Sequence, residues 1–159
     1  MFKTHLMLVF LISFGFAPLA AAQEPRTPQQ QAEVDKQVEK LQSTVEDFFA
    51  QFNNAAVGPE QAFKTLVGNG PLKSKNEELT GLIDKATKLE GRYGRHTGHD
   101  IASVKTVGSD LVILRYLYRG ERFPVVWHFY YYRTGNGAMP REWNLIEIRF
   151  DTNLDGLDR

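Results

Sequence analysis

Residues 111–133 constrain the fold more than any other stretch of the chain. They read Leu-Val-Ile-Leu-Arg-Tyr-Leu-Tyr-Arg, then Gly-Glu, then Arg-Phe-Pro-Val-Val-Trp-His-Phe-Tyr-Tyr-Tyr-Arg. β-Branched and aromatic residues at this density favour strand, because they pack well on a pleated surface. Gly120-Glu121 between the two runs suits a two-residue type II′ hairpin, with glycine first. The pattern predicts strands over 111–119 and 122–133, with Arg119 opposite Arg122 and Tyr116 opposite Val125.

Opposed residues share a face, and alternation carries that face along each strand. One face then holds Val112, Leu114, Tyr116, Tyr118, Phe123, Val125, Trp127, Phe129 and Tyr131. The other holds Ile113, Arg115, Leu117, Arg119, Arg122, Val126, His128, Tyr130 and Tyr132. A shorter strand at 103–107 and a last strand at 143–151 extend the sheet. In the last strand Ile146, Ile148 and Phe150 join the apolar face, while Leu145, Glu147, Arg149 and Asp151 join the other.

So aromatic a face needs a cover, and the first half of the chain supplies it. Thr27-Pro28-Gln29-Gln30 has the form of a capped helix start. Val34, Val38, Leu41, Val45, Phe48 and Phe52 recur at spacings of three and four, which is one apolar stripe on a long helix. Lys36, Gln37, Lys40, Gln42, Ser43 and Asp47 fall on the solvated side. Gly58-Pro59 opens a second helix that buries Ala62, Phe63, Leu66 and Val67. A third spans about 74–89, with Leu79, Leu82, Ile83 and Ala86 inward, before Gly91 and Gly94. The expected fold class is α+β: N-terminal helices on a strongly bent antiparallel sheet of about four strands, cone-shaped.

Residues 1–22 stand outside this plan. Lys3 and His5 precede an apolar run over 6–17, Pro18 breaks it, and Ala20-Ala21-Ala22 offers a small-residue cleavage site. This is the pattern of a secretory signal peptide, too short in its apolar run for a bilayer, which needs about 20 residues. The expected organisation is a signal peptide at 1–22, a linker at 23–28, one domain at 29–151 and a polar tail at 152–159. The product is expected to be exported, periplasmic or extracellular, with no membrane attachment once the leader is removed.

The chain has no cysteine, which excludes disulfides, a thiol nucleophile and a cysteine zinc site. Its 19 basic and 19 acidic residues balance, so nothing suggests a nucleic-acid partner, which would need a basic excess for phosphates.

Two short patterns hint at metals. His96-Thr97-Gly98-His99-Asp100 has two imidazoles and a carboxylate, but not the four-residue spacing on a helix that a metalloprotease uses. It reads as an exposed loop. Asp151-Thr152-Asn153-Leu154-Asp155-Gly156 matches the opening of a calcium loop without flanking helices, and reads as a tail. No metal or cofactor is expected. No Gly-x-Ser-x-Gly elbow or phosphate loop is present.

The order of helices then bent sheet resembles the nuclear transport factor 2-like superfamily, a cystatin-like α+β cone. The resemblance rests on Leu89-Glu90-Gly91-Arg92-Tyr93-Gly94, on the Val-Val-Trp-His-Phe-Tyr-Tyr-Tyr core, and on Trp143-Asn144-Leu145-Ile146-Glu147-Ile148-Arg149-Phe150-Asp151. It implies a small exported member that dimerises through its sheet and holds a ligand between helices and sheet. Enzymes of that superfamily use an inward Asp, Glu or His.

The inner face between Val112 and Tyr131 carries none of these. Its polar groups are Tyr116, Tyr118, Trp127 and Tyr131, which are expected to line a pocket for a small apolar molecule. A helix could still provide a base, with Asp47 and Asp84 the candidates. The outer face, with Arg115, Arg119, His128, Tyr130, Tyr132, Glu147 and Arg149, has the tyrosine and arginine content of an interface, most simply with a second copy. The expectation is a binding module with no catalytic residues, for a small ligand or a protein partner and dimeric. The alternatives are an isomerase- or dehydratase-type enzyme with a helix-borne carboxylate, and a purely structural or assembly protein.

Overall fold

The computed structural model describes residues 27–135, 142–155 and 157. The expected signal peptide lies outside them, as do most of the linker and residues 136–141. The described chain is α+β, with an open, curled antiparallel sheet under a layer of helices. Helices α1 (Pro28–Phe52), α2 (Gly58–Val67), α3 (Asn76–Thr87) and α4 (Leu89–Tyr93) precede strands β1 (His96–Val107), β2 (Leu111–Gly120), β3 (Pro124–Thr134) and β4 (Glu142–Asp151). A 3₁₀ turn at Pro71–Ser74 precedes α3, and a break at Lys88 separates α3 from α4, so the single third helix expected over 74–89 is divided. The strands lie in chain order as a meander, with β1 and β4 at the edges.

The stripe on α1 packs as its spacing requires. Val45, Phe48, Phe49 and Phe52 are buried against Phe63 of α2 and the inner sheet face. Trp127 sits at the centre, with ring centroids 5.6 Å from each of Phe48, Phe49 and Phe52 and 4.6 Å from Phe150. Most of these pairs are tilted or edge-on, the arrangement the ring quadrupole favours.

The central hairpin differs from the expected one in a specific way. Arg119 faces Pro124, Tyr118 faces Val125 and Tyr116 faces Trp127, so the register is displaced by two residues. The link is three residues, Glu121 to Phe123, and not a two-residue turn. A displacement of two preserves the alternation, so Trp127 still points inward and Arg115 outward. Phe123 alone leaves the inner face and stands 46% exposed.

The cause is tertiary. The backbone N–H groups of Arg122 and Phe123 donate to Tyr93 O at 2.9 and 3.3 Å, and that of Glu121 donates to Arg95 O at 3.0 Å. The α4–β1 junction thus holds the link open. Gly120 serves close approach: a Cβ there would lie 2.5 Å from Tyr93 O and 2.7 Å from Phe123 O.

Two further corrections concern the edge strands. β1 begins at His96, seven residues before the expected start at Ser103, so the H-x-x-H-D stretch is strand and not loop. In β4 a bulge between the partners of Tyr130 and Tyr131 shifts the alternation. Leu145 therefore lies inside, buried beside Tyr131, and not on the outer face as expected. Bulges carry little sequence signature, which is why alternation misplaced both segments.

Candidate functional site

A connected group of described residues that combines titratable side chains with access to a cleft lies at one end of the inner sheet face. α1 presents Glu46 and Phe49, and Asn53 follows directly after its last residue; spacings of three and four place the three on one side. β1 presents His96 and His99. In a regular strand residues three apart face opposite ways. Here Thr97 is an extra residue between the pairs His96–Gly120 and Gly98–Arg119, and the bulge returns both imidazoles to the same side. Gly98 takes φ +147°, a conformation that other residues rarely adopt.

These side chains form a connected row. Glu46 Oε2 lies 2.6 Å from His99 Nε2, and His99 Nδ1 lies 3.2 Å from His96 Nε2. The His96 ring stacks on Tyr118 at 4.4 Å, and the His99 ring lies 4.5 Å from that of Phe49. Tyr118 Oη donates to Asn53 Oδ1 at 2.7 Å, and Asn53 Nδ2 donates to Phe49 O at 2.8 Å. The row runs from solvent inward: the Glu46 side chain is 52% exposed and that of His99 16%. A carboxylate only accepts, so His99 Nε2 carries a proton. With both rings neutral, His99 Nδ1 accepts from His96 Nε2–H.

His96 and Tyr118 line a cleft of about 510 Å³, whose other walls include Phe52, Pro59, Ala86 and Leu89. Burial holds His96 below the ordinary histidine pKa, and the neighbouring His99 and Arg119 act in the same direction. His96 is therefore a neutral imidazole at neutral pH. Burial, with the charge of Glu90, pushes Tyr118 up to about 12, so its hydroxyl stays protonated.

The expected pocket residues divide among three settings. Tyr116 and Trp127 are fully buried within the aromatic core. Tyr118 reaches the cleft just described. Tyr131 borders a second cleft of about 520 Å³ with Leu41 and Trp143, and its hydroxyl has no partner among the described residues. Trp143 Nε1–H donates to Gln37 Oε1 at 2.8 Å, which draws Gln37 off the wholly solvated side assigned to it. The expected base candidates Asp47 and Asp84 are exposed; the helix carboxylate that meets the sheet is Glu46.

The expected interface residues lie along the outer face. Arg115, His128 and Arg149 are in line across β2, β3 and β4. Arg149 covers the Tyr130 ring at 5.2 Å, and Glu147 pairs opposite Tyr130. Tyr132 is 46% exposed, whereas His128 is buried. Burial first, and then Arg149 and Arg115 against the opposing Asp151, hold His128 below its ordinary pKa. Arg119 pairs with Asp100 of β1, which leaves that carboxylate engaged away from the histidines.

No group of three or more His, Asp or Glu side chains suited to a metal occurs among the described residues. In the tail, Asp151 Oδ1 and Asn153 Oδ1 accept from the backbone N–H of Asn153 and Asp155, an Asx-turn pattern; Gly156 lies outside the described residues. No helix among the described residues is long and apolar enough to cross a membrane.

No family model, no curated protein and no solved structure matches the chain.

Proposed function

We propose that this protein is an exported binding module of the nuclear transport factor 2-like kind. In this proposal it takes a small molecule with an apolar body into the cleft beside Tyr118 and His96, and pairs with a second copy through the outer sheet face. The observation that carries the proposal is that cleft. It combines an apolar floor of Phe52, Ala86 and Leu89 with a few oriented polar groups, the usual composition of a small-molecule site. The half-exposed Tyr132 and the arginine-covered Tyr130 support the pairing, since aromatic residues and arginine are enriched at interfaces.

A second reading, a structural or assembly role without a ligand, is favoured by one observation. The inner face is sealed by its own side chains, with Tyr116, Trp127, Phe49, Phe63 and Phe129 each at 0% exposure. A ligand therefore has the end cleft available to it and not the middle of the cone.

Native mass spectrometry on protein recovered from the cells that make it separates these readings. The expected spectrum is a dimer retaining a small molecule. Ala55→Trp, on the exposed rim of the cleft, should lose the molecule and keep the dimer. Tyr132→Ser should lose the dimer and keep the molecule. A dimer with nothing bound would favour the assembly role; a bare monomer would refute both readings.

A further inference from the structure

We propose that the link between β2 and β3, with the α4–β1 junction beside it, is a docking surface for an anionic lipid bilayer. Phe123 enters the bilayer, and the cations around it meet the headgroups. The contact is peripheral and reversible, so it needs no spanning helix. It rests on neither the bound molecule nor the second copy proposed above.

Phe123 is the one exposed phenylalanine among the described residues. Alternation along β3 would turn it inward with Val125 and Trp127. The three-residue link carries it outward instead, held by the bonds of Glu121 to Arg95 O and of Arg122 and Phe123 to Tyr93 O. Its ring lies 6.3 Å from that of Tyr93 and stays 46% exposed. Apolar surface held in water on a fixed support is surface that folding has not buried, and transfer into a bilayer removes it from water.

The charge around this ring has one dominant sign. Lys88, Arg92, Arg95, Arg119 and Arg122 are all exposed. Glu121 engages Arg95 at 2.6 Å, and Asp100 engages Arg119. Arg122 donates to Gly91 O at 2.6 Å, a neutral acceptor that leaves its charge unbalanced. Lys88 and Arg92 enter no ion pair among the described residues. Within residues 88–95 and 119–124, Glu90 is the carboxylate that remains to offset these three cations. The chain as a whole has 19 basic and 19 acidic residues, so the excess is local. These cations come from two separate stretches, and the backbone bonds that turn Phe123 outward are the ones that bring the stretches together.

An acidic protein is the other partner that such charges could serve. Protein interfaces centre on aromatic side chains seated in pockets and ringed by contacts that exclude water. Here the ring stands out on a hairpin link with cations to its sides. That form suits a fluid layer with an apolar interior and an anionic surface, which needs no matching pocket.

The test uses the protein recovered from the cells that make it. It is mixed with vesicles of phosphatidylglycerol and phosphatidylcholine in equal parts, or of phosphatidylcholine alone. It should sediment with the first and not with the second, and added salt should release it. Phe123→Ser should weaken the binding several-fold, and Phe123→Trp should keep it. Arg92→Gln and Arg122→Gln should each weaken it about five-fold. Lys36→Gln with Lys40→Gln, the same kind of charge loss on α1, should leave it unchanged. With brominated acyl chains in the vesicles, the tryptophan introduced by Phe123→Trp should be quenched.

Equal binding to both kinds of vesicle, or undiminished binding of Phe123→Ser, would overturn the proposal. Binding of Phe123→Trp without quenching would also overturn it, because the contact would then lie elsewhere on the chain. Capture of polyglutamate but of neither vesicle would overturn lipid docking and assign the surface to an acidic protein. Each result is independent of the ligand and the dimer that native mass spectrometry reads.

Discussion

The middle of the inner sheet face and its end at β1 are built from similar residues and behave differently. In the middle, Tyr116, Trp127 and Phe129 meet Phe48, Phe49 and Phe63, and no space remains. At the end, one step along β2, Tyr118 stacks on an imidazole and borders a cleft. The difference is the cover. α1 ends at Phe52, and beyond it the α1–α2 turn leaves the sheet incompletely roofed. Where two layers face each other over their full width, aromatic residues serve packing. Where one layer stops, the same face can carry a row of titratable groups.

The comparison breaks most sharply with Trp127→Ala. Removing a side chain packed against seven other rings should lower folding stability by about 3–5 kcal/mol, measured by denaturant unfolding. His96→Gln at the end of the face should cost less than about 1 kcal/mol, in the range of partly exposed sites. Equal losses would show that the two regions are not distinct.

Gly120→Ala tests the junction that frames the end region. Its methyl group would collide with two backbone carbonyls, so a loss of about 1–3 kcal/mol is expected, with the link at Glu121 to Phe123 displaced. A neutral result would mean that the junction is loose and the cleft not fixed.

The third prediction concerns pH. His96 and His128 both have folded pKa values below the ordinary 6.5. Well above that pH both rings are neutral in either state. As the pH falls through it, the unfolded chain takes up protons that the folded chain does not yet bind. Stability should therefore be full above about 6.5 and decline below it until the folded rings also titrate. Unfolding curves across this range check the sign, and His96→Gln should flatten part of the slope.

The smallest effect is expected of Glu46→Gln. Stability should change by no more than about 0.5 kcal/mol, because the side chain is half exposed. A larger loss would place Glu46 in the packing and not at the exposed end of the row beside His99.

The helices, the long pair of strands and the assignment of faces were legible in the sequence, because apolar periodicity reports directly which side of an element is buried. The α1 stripe and the inward Trp127 are cases in point. The central register was misread by two residues and yet the faces survived, since only an odd displacement inverts them. What was not legible was the site. His96 and His99 looked like a loop, and nothing in the pattern of α1 singled out Glu46. A spacing of three in a strand argues against a shared face unless a bulge intervenes, and the bulge is set by pairing with β2.

Local sequence thus decided which residues form helices and strands and which side of each avoids water, because burial of apolar surface acts through short-range periodicity. Tertiary structure decided the loop at Gly120, the two bulged edges and the meeting of Glu46 with His99, residues 53 positions apart. Those depend on where separate elements come to rest against one another, and a one-dimensional pattern holds no term for that distance.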